Sequence, residues 1–141
     1  MIDLALVKKT ILEAKKITDA MDRATQKVLE KFGAFVRQRA MHSVRKRKAV
    51  SKPGQPPSSH LGLIRDHILF QVELASKNVV IGPMKMDRIS PTALQSLEHG
   101  GSSLIMHHGK TMSVMIQKRP FMQPAFDVEK EKAAEMFRNS L

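Results

Sequence analysis

The sequence has no cysteine, no tryptophan and no tyrosine, and only six phenylalanines among its 141 residues. Without cysteine, neither a disulfide framework nor a thiolate metal site can form. No stretch approaches the roughly 18 apolar residues that a membrane-spanning helix needs. Lysines also interrupt the first 16 residues before the apolar core of a signal peptide is complete. We therefore expect a protein made in the cytoplasm, without a membrane segment.

The chain is rich in positive charge and in methionine. Its net charge is +11, and residues 1–62 carry 14 Lys and Arg against five Asp and Glu. A half this basic indicates a polyanion or an acidic protein surface as a partner. A chain of 141 residues is long enough to bury a core, which Ile, Leu, Val, Phe and the ten Met must fill.

Residues 1–45 are predicted to form one long helix. Apolar or small side chains recur there at alternating steps of three and four, which is the spacing of a single helix face. Asp3 is suited to the N-cap, and Gly33 is a position where the helix can kink or divide. The stripe consists of Leu4, Val7, Ile11, Ala14, Thr18, Met21, Thr25, Val28, Phe32 and Phe35.

The rest of the chain alternates loops with short elements. Residues 46–62 combine basic residues with Pro, Gly and Ser, which predicts a long functional loop. Residues 68–74 and 79–81 predict a β-hairpin, and Ser90-Pro91 to Gly100 predict a short helix. We expect a polar loop over 101–110, a third strand over 111–117 and a last helix over 123–139.

These elements predict a single α+β domain over residues 1–141. It comprises the helix of 1–45, the basic loop of 46–62, and a sheet with helices over 63–141. We expect the long N-terminal helix and the C-terminal helix to pack on a small, mainly antiparallel β-sheet of three to four strands. One short helix lies between strands, and Phe121 and Phe126 are expected to fix the last helix in place.

The sequence contains no recognisable catalytic arrangement. Neither a phosphate-binding glycine loop nor a nucleophile elbow occurs. His99, His107 and His108 lack the spacing of metal ligands and are interpreted as surface-loop residues. Glu98, an acid beside a glycine pair, is expected to bind backbone or a neighbouring subunit rather than act as a general base. We therefore predict a non-enzymatic protein with no catalytic residue, no metal and no cofactor.

Seven basic residues follow one another with no acidic residue between them. Such a stretch predicts a patch that faces either nucleic-acid phosphates or an acidic protein. No helix-turn-helix, zinc-finger or RNP signature accompanies it, so readout of base sequence is not expected. The patch consists of Arg37, Arg39, Arg45, Lys46, Arg47, Lys48 and Lys52.

Four short islands occur in a fixed order within residues 50–126. In this order they resemble the head–tail joining and tail-completion proteins of lambdoid and other siphophages, the neck and tail-component family. In that family a proline-rich loop precedes the first island and a helix follows the last. The islands are His60-Leu61-Gly62-Leu63-Ile64-Arg65, Val80-Ile81-Gly82-Pro83, Leu97-Glu98-His99-Gly100-Gly101 and Arg119-Pro120-Phe121-Met122-Gln123-Pro124-Ala125.

The resemblance implies a structural subunit that assembles with its own copies into a ring, a hexamer, in the neck of a virion. Its other partners would be the head connector or stopper protein, the tail terminator or tail-tube protein, and DNA passing through the lumen. The alternative function is a small basic protein that binds nucleic acid through phosphate contacts. The family-motif positions are Gly62, Leu63, Gly82, Pro83, Glu98, Gly100, Arg119, Pro120, Phe121 and Pro124.

Overall fold

The fold is described from a computed structural model over residues 4–86 and 89–140. Asp3, the expected N-cap of the first helix, lies outside these residues. Helices alternate with short strands along the chain. The elements are α1 (Leu4–Ser43), β1 (Arg45–Lys46), β2 (Ser58–Ser59), α2 (Leu63–Asp66), β3 (Ile68–Glu73), β4 (Asn78–Pro83), α3 (Pro91–His99), β5 (Gly101–His107), β6 (Lys110–Ile116) and α4 (Met122–Arg138).

The helix α1 continues through Gly33, so the glycine does not divide it. Packing explains why no larger residue stands there. A Cβ at position 33 would lie 2.5 Å from Cδ2 of Phe70 and 3.0 Å from Cγ2 of Val79. The β3–β4 hairpin therefore rests directly on the backbone of α1.

The core forms where the second half of α1 meets the hairpin, α2, α3 and α4. Burial along α1 recurs at four-residue steps, which places the buried side chains on one helix face. Phe121 and Ile68 are among the largest fully buried side chains. The cluster consists of Phe32, Val36, Ala40, Val44, Ile64, Ile68, Met86, Leu94, Phe121 and Ala125.

The α+β class is confirmed, with a long N-terminal helix, a C-terminal helix and antiparallel strands around a short helix. The strands do not share one sheet of three to four strands. Over the described residues they form two antiparallel two-stranded sheets, β3–β4 and β5–β6, and a short parallel pair, β1–β2. The two hairpins are separated in sequence by α3, which packs against β5.

The prediction of a polar loop over residues 101–110 is wrong, because these residues form β5 and the turn into β6. His108 and Gly109 have positive φ angles of 49° and 74° and lie between the paired residues His107 and Lys110. Two central residues with positive φ are typical of the type I′ turn, whose twist suits a two-residue hairpin connection.

The ends of α3 and the start of α4 follow the predicted turn chemistry. Ser90 precedes α3 with Pro91 in its first turn, and Gly100 ends it at a φ of 80°. Phe121 is buried immediately before α4. Phe126 remains partly exposed and packs edge-on against Phe32, with ring centroids 5.8 Å apart.

We predict that Gly33→Ala destabilises the fold although alanine is the better helix former. The helix-propensity gain is about 1 kcal/mol. Forcing a methyl group against the Phe70 ring costs about 1–3 kcal/mol. The free energy of unfolding, measured by urea denaturation, should therefore fall.

A double variant tests the cause of that loss. In a Phe70→Leu background the added methyl group has more room, so Gly33→Ala should cost less there than in the native chain. Ala34 is exposed on the same helix, and Ala34→Gly serves as the control for propensity alone. A Gly33→Ala chain that is more stable than the native chain would contradict the proposed close packing.

Candidate functional site

The first half of α1 carries apolar side chains that nothing in the described chain covers. Every described side chain from Ala5 to Arg23 is exposed. Ile11 and Ile17 each retain 62% of their accessible surface. We call residues 5–23 the free segment of α1, a name that refers only to the solvent exposure of its side chains, since polar contacts such as that of Asp22 with Lys77 at 3.2 Å occur there. Its exposed large apolar residues are Val7, Ile11, Leu12, Ile17 and Met21.

The apolar stripe of the free segment lies in line with the buried face of the same helix. Val7, Ile11, Ala14, Ile17 and Met21 follow at steps of three or four and lead directly into Ala24 and Val28. Ala24 and Val28 are buried. The helix face that forms the core therefore continues into the free segment, with no partner element in the described part of the chain.

The β5–β6 hairpin is the second exposed apolar surface. Its base is held by α3, since Ser103 is buried and its Oγ lies 3.1 Å from Oγ1 of Thr92. Beyond this base both faces of the hairpin are exposed. The exposed apolar side chains are Leu104, Ile105, Met106, Met112 and Met115.

Glu98 joins two of the family-motif islands. Its carboxylate Oε2 accepts hydrogen bonds from the backbone N–H groups of Phe121 and Met122, at 3.0 and 3.1 Å. Its Oε1 accepts one from the N–H of Gln123, at 2.7 Å. These donors lie at the start of α4, where backbone N–H groups lack partners within the helix. The carboxylate thus caps α4 from a distant position in the sequence.

Arg119 joins the same place to the proline-rich loop. Its N–H donates to the carbonyl oxygen of Leu97 at 2.6 Å, and its Nε donates to that of Ser51 at 3.1 Å. The N–H of Gly54 also donates to the carbonyl oxygen of Lys118, at 2.8 Å. Residues 51–54 are therefore fixed to the segment before α4 instead of hanging free as a loop.

The other family-motif positions are mainly structural. Gly62 has a φ of 77° and leads into α2, in which Leu63 packs against the core. Gly82 and Pro83 end β4 opposite Leu69 and Ile68. The remaining positions support the same joint: Gly100 ends α3, Pro120 precedes the buried Phe121, and Pro124 is exposed in the first turn of α4.

The structure divides the predicted basic patch into two groups. Arg37 donates from Nε to the carbonyl oxygen of Ile68 at 2.6 Å, which ties α1 to β3. Arg39 forms a salt bridge of 2.6 Å with Glu129, whose side chain is only 5% exposed. These two arginines hold elements together. The exposed group consists of Arg45, Lys46, Arg47, Lys48 and Lys52.

The exposed group does not act as one surface. Arg45 and Arg47 line a hollow of about 380 Å³ beside His42 and Gln55. Lys46 points elsewhere, because its Cδ lies 3.5 Å from where a Cβ of Gly62 would be. No carboxylate of residues 4–86 or 89–140 lies within 4 Å of these cations. Their charge is therefore available to a ligand.

The described residues contain neither a cluster of metal ligands nor a helix suited to span a membrane. No group of three or more His, Asp or Glu side chains comes together there as metal ligands do. The rings of His107 and His108 pack edge-on at the hairpin turn, with centroids 4.2 Å apart. A search of the helices in the same residues found none with the length and hydropathy needed to cross a bilayer.

The carboxyl group of Asp127 shows the local electrostatics of α4. A hydrogen bond from the Gln123 side chain lowers its pKa, and a hydrogen bond and the positive charge of Lys130 lower it further. This group is on the surface of the first turns of α4, where it supports the helix start.

Sequence reasoning missed three residues near the basic patch. Glu129 is a buried acid on α4, and it receives both Arg39 and Lys132. His42 and Lys132 line a hollow of about 590 Å³ together with Arg39. The only signal in the sequence was Glu129 on an amphipathic helix with lysines at 130 and 132, and it does not reveal that Arg39, 90 positions away, is its partner.

We predict that Glu98→Gln lowers the free energy of unfolding by about 1–3 kcal/mol. The amide group keeps one acceptor oxygen but turns an NH₂ donor toward the N–H groups of α4. Thermal or urea denaturation measures the loss. Glu131→Gln is the matched control, since Glu131 is an exposed acid on α4, and it should change stability little. Equal stabilities of the two variants would contradict the capping role.

Comparisons with known proteins do not indicate a function for this chain. Comparison with models of protein families, with curated proteins and with solved structures found no match for this chain. The functional conclusion therefore depends on the exposed apolar surfaces and on the positions of the charges.

Proposed function

We propose that the chain is a structural, non-enzymatic virion protein of a tailed bacteriophage. In this proposal it forms a ring, a hexamer of its own copies, in the neck between head and tail. The ring completes the tail and joins it to the head connector. The observation that carries the proposal is the free segment of α1, whose apolar stripe continues the core face without cover.

The size of the uncovered surface supports a role in assembly. A segment of 19 residues, from 5 to 23, is about 28 Å long. Large contiguous apolar patches are uncommon on monomeric soluble proteins and are typical of protein–protein interfaces. The β5–β6 hairpin adds a second such patch with several exposed methionines. Flexible methionine side chains adapt to the shape of a partner.

The hydrogen bonds of Glu98 and Arg119 are a second observation that supports the resemblance to neck and tail-component proteins. Two of the four islands are joined there by hydrogen bonds, and the proline-rich loop is bound to the same place. The matched residues thus have structural tasks that preserve the shape of one module. A fixed shape of this kind suits a subunit whose function is to bind other subunits and not to convert a substrate.

The proposed partners follow from the surfaces. Sister copies and the tail terminator or tail-tube protein would cover the apolar free segment and the hairpin. The head connector or stopper protein would meet the remaining face of the ring. In the assembled particle the protein would be located in the neck of the virion, after synthesis in the host bacterial cytoplasm.

We predict that Ile11→Asp with Ile17→Asp abolishes self-assembly but leaves the fold intact. Both side chains are largely exposed, so the monomer loses little burial, while charge on the stripe opposes docking. Sedimentation velocity measures the loss of the ring. Electron microscopy of particles made with the variant should show heads and tails that remain separate.

The matched control is Lys9→Ser with Lys16→Ser, which also lowers the net charge by two on the same segment. At 100° per residue these exposed lysines lie on the other side of the helix from the stripe. This variant should assemble. Normal rings and joined particles with the Ile11 and Ile17 variant would overturn the proposal.

A further inference from the structure

Two hollows adjoin at the end of α1 and share His42 and Ser43 in their walls. The first, of about 590 Å³, includes Arg39 and Lys132. The second, of about 380 Å³, includes Arg45 and Arg47. We call the two together the basic groove. It combines cations from α1, from the segment after it and from α4, which are far apart in the sequence.

The buried acid in the groove does not cancel its charge. Glu129 accepts Arg39 at 2.6 Å and faces Lys132 at 3.6 Å, so one carboxylate stands against two cations. The second hollow has no acidic residue in its lining. The groove therefore has a net positive charge.

Arg45 and Arg47 both contact Ser58. β1 pairs with β2 in parallel, with Arg45 opposite Ser58, and Nε of Arg47 donates to Oγ of Ser58 at 3.0 Å. Both side chains line the second hollow, where their guanidinium groups can bind one anionic ligand together.

From this geometry we infer that the basic groove binds the phosphodiester backbone of nucleic acid without reading its sequence. Guanidinium groups suit phosphate because their forked N–H groups donate in pairs. His42, Ser43, Gln38 and Gln55 add polar side chains along the walls. Phe35 is the one aromatic side chain in the two linings, which leaves no platform for stacking successive bases.

The inference does not depend on the proposed assembly role. The groove lies at the C-terminal end of α1, and the free segment lies at the other end. Cations at a helix C-terminus are also stabilised by the helix dipole. The test must therefore measure binding, with stability followed separately.

The full chain is titrated into a fluorescent DNA duplex of about 20 base pairs with an arbitrary sequence, at several salt concentrations. Binding through phosphates gives a linear fall of log K with log salt, with a slope of about −0.9 for each phosphate contacted. A second duplex of unrelated sequence should give the same affinity and slope. Absence of binding at low salt, or a strong preference for one duplex, would overturn the inference.

Charge-matched variants locate the site. Arg45→Ser with Arg47→Ser should reduce the magnitude of the salt slope by about two, and Lys132→Gln by about one. Lys9→Ser with Lys16→Ser removes the same charge as the arginine pair from the free segment and should leave the slope unchanged. Equal losses in the two double variants would show that net charge, not the groove, attracts DNA.

Two further measurements separate the remaining explanations. Polyglutamate tests for an acidic protein ligand, and if it displaces the duplex at equal charge concentration the phosphodiester assignment is overturned. Sedimentation velocity shows whether the Arg45 and Arg47 variant still self-assembles. If this variant still assembles but no longer binds DNA, the result supports the groove as the DNA-binding site. Loss of assembly in the Ile11 and Ile17 variant tests the proposed function and not the groove.

Discussion

A helix of 40 residues is about 60 Å long, whereas a compact domain of 141 residues has a radius of gyration of about 14 Å. The remaining residues therefore cannot surround α1 along its whole length. The hairpin and α4 cover the helix from Ala24 onward, and the free segment stays exposed with its apolar stripe. Because no described element buries this stripe, it adds little to the stability of the monomer, and under the proposed function its burial would stabilise the assembled ring.

In the covered half of the molecule, which has a small apolar core, charged side chains also connect the helices. Arg39 and Glu129 fix α4 on α1, and Glu98 fixes the start of α4 on the end of α3. The Arg39–Glu129 pair, with Arg39 44% exposed, contributes little net stability, but loss of Arg39 would remove a partner from the buried carboxylate of Glu129. Burial of the small apolar core thus stabilises the fold, while a few charged groups orient the helices relative to one another.

Periodicity predicted α1 and β3, and local turn residues predicted the ends of α3, whereas segments that carry neither signal were not predicted. The three–four stripe predicted α1, and alternation predicted β3, because each pattern matches the repeat of side chains on one face of a helix or a strand. The hairpin of β5 and β6 is exposed on both faces, so residues 101–107 have no such pattern, and His108-Gly109 is not a familiar turn pair. The positions of the basic patch could be read from the sequence, but the groups that its side chains bind could not. Arg37 and Arg39 bind Ile68 and Glu129, which lie 31 and 90 positions away.

The two ends of α1 are separated enough to act independently. From Ile17 to Arg45 the helix and the following residues span about 40 Å, several times the Debye length of about 8 Å in physiological salt. A polyanion in the basic groove therefore neither attracts nor repels a partner on the free segment by direct electrostatics. The free segment is also an extension of a helix that the core already nucleates, so it needs only propagation to stay helical. A partner would then meet a preformed surface, which lowers the ordering cost of docking.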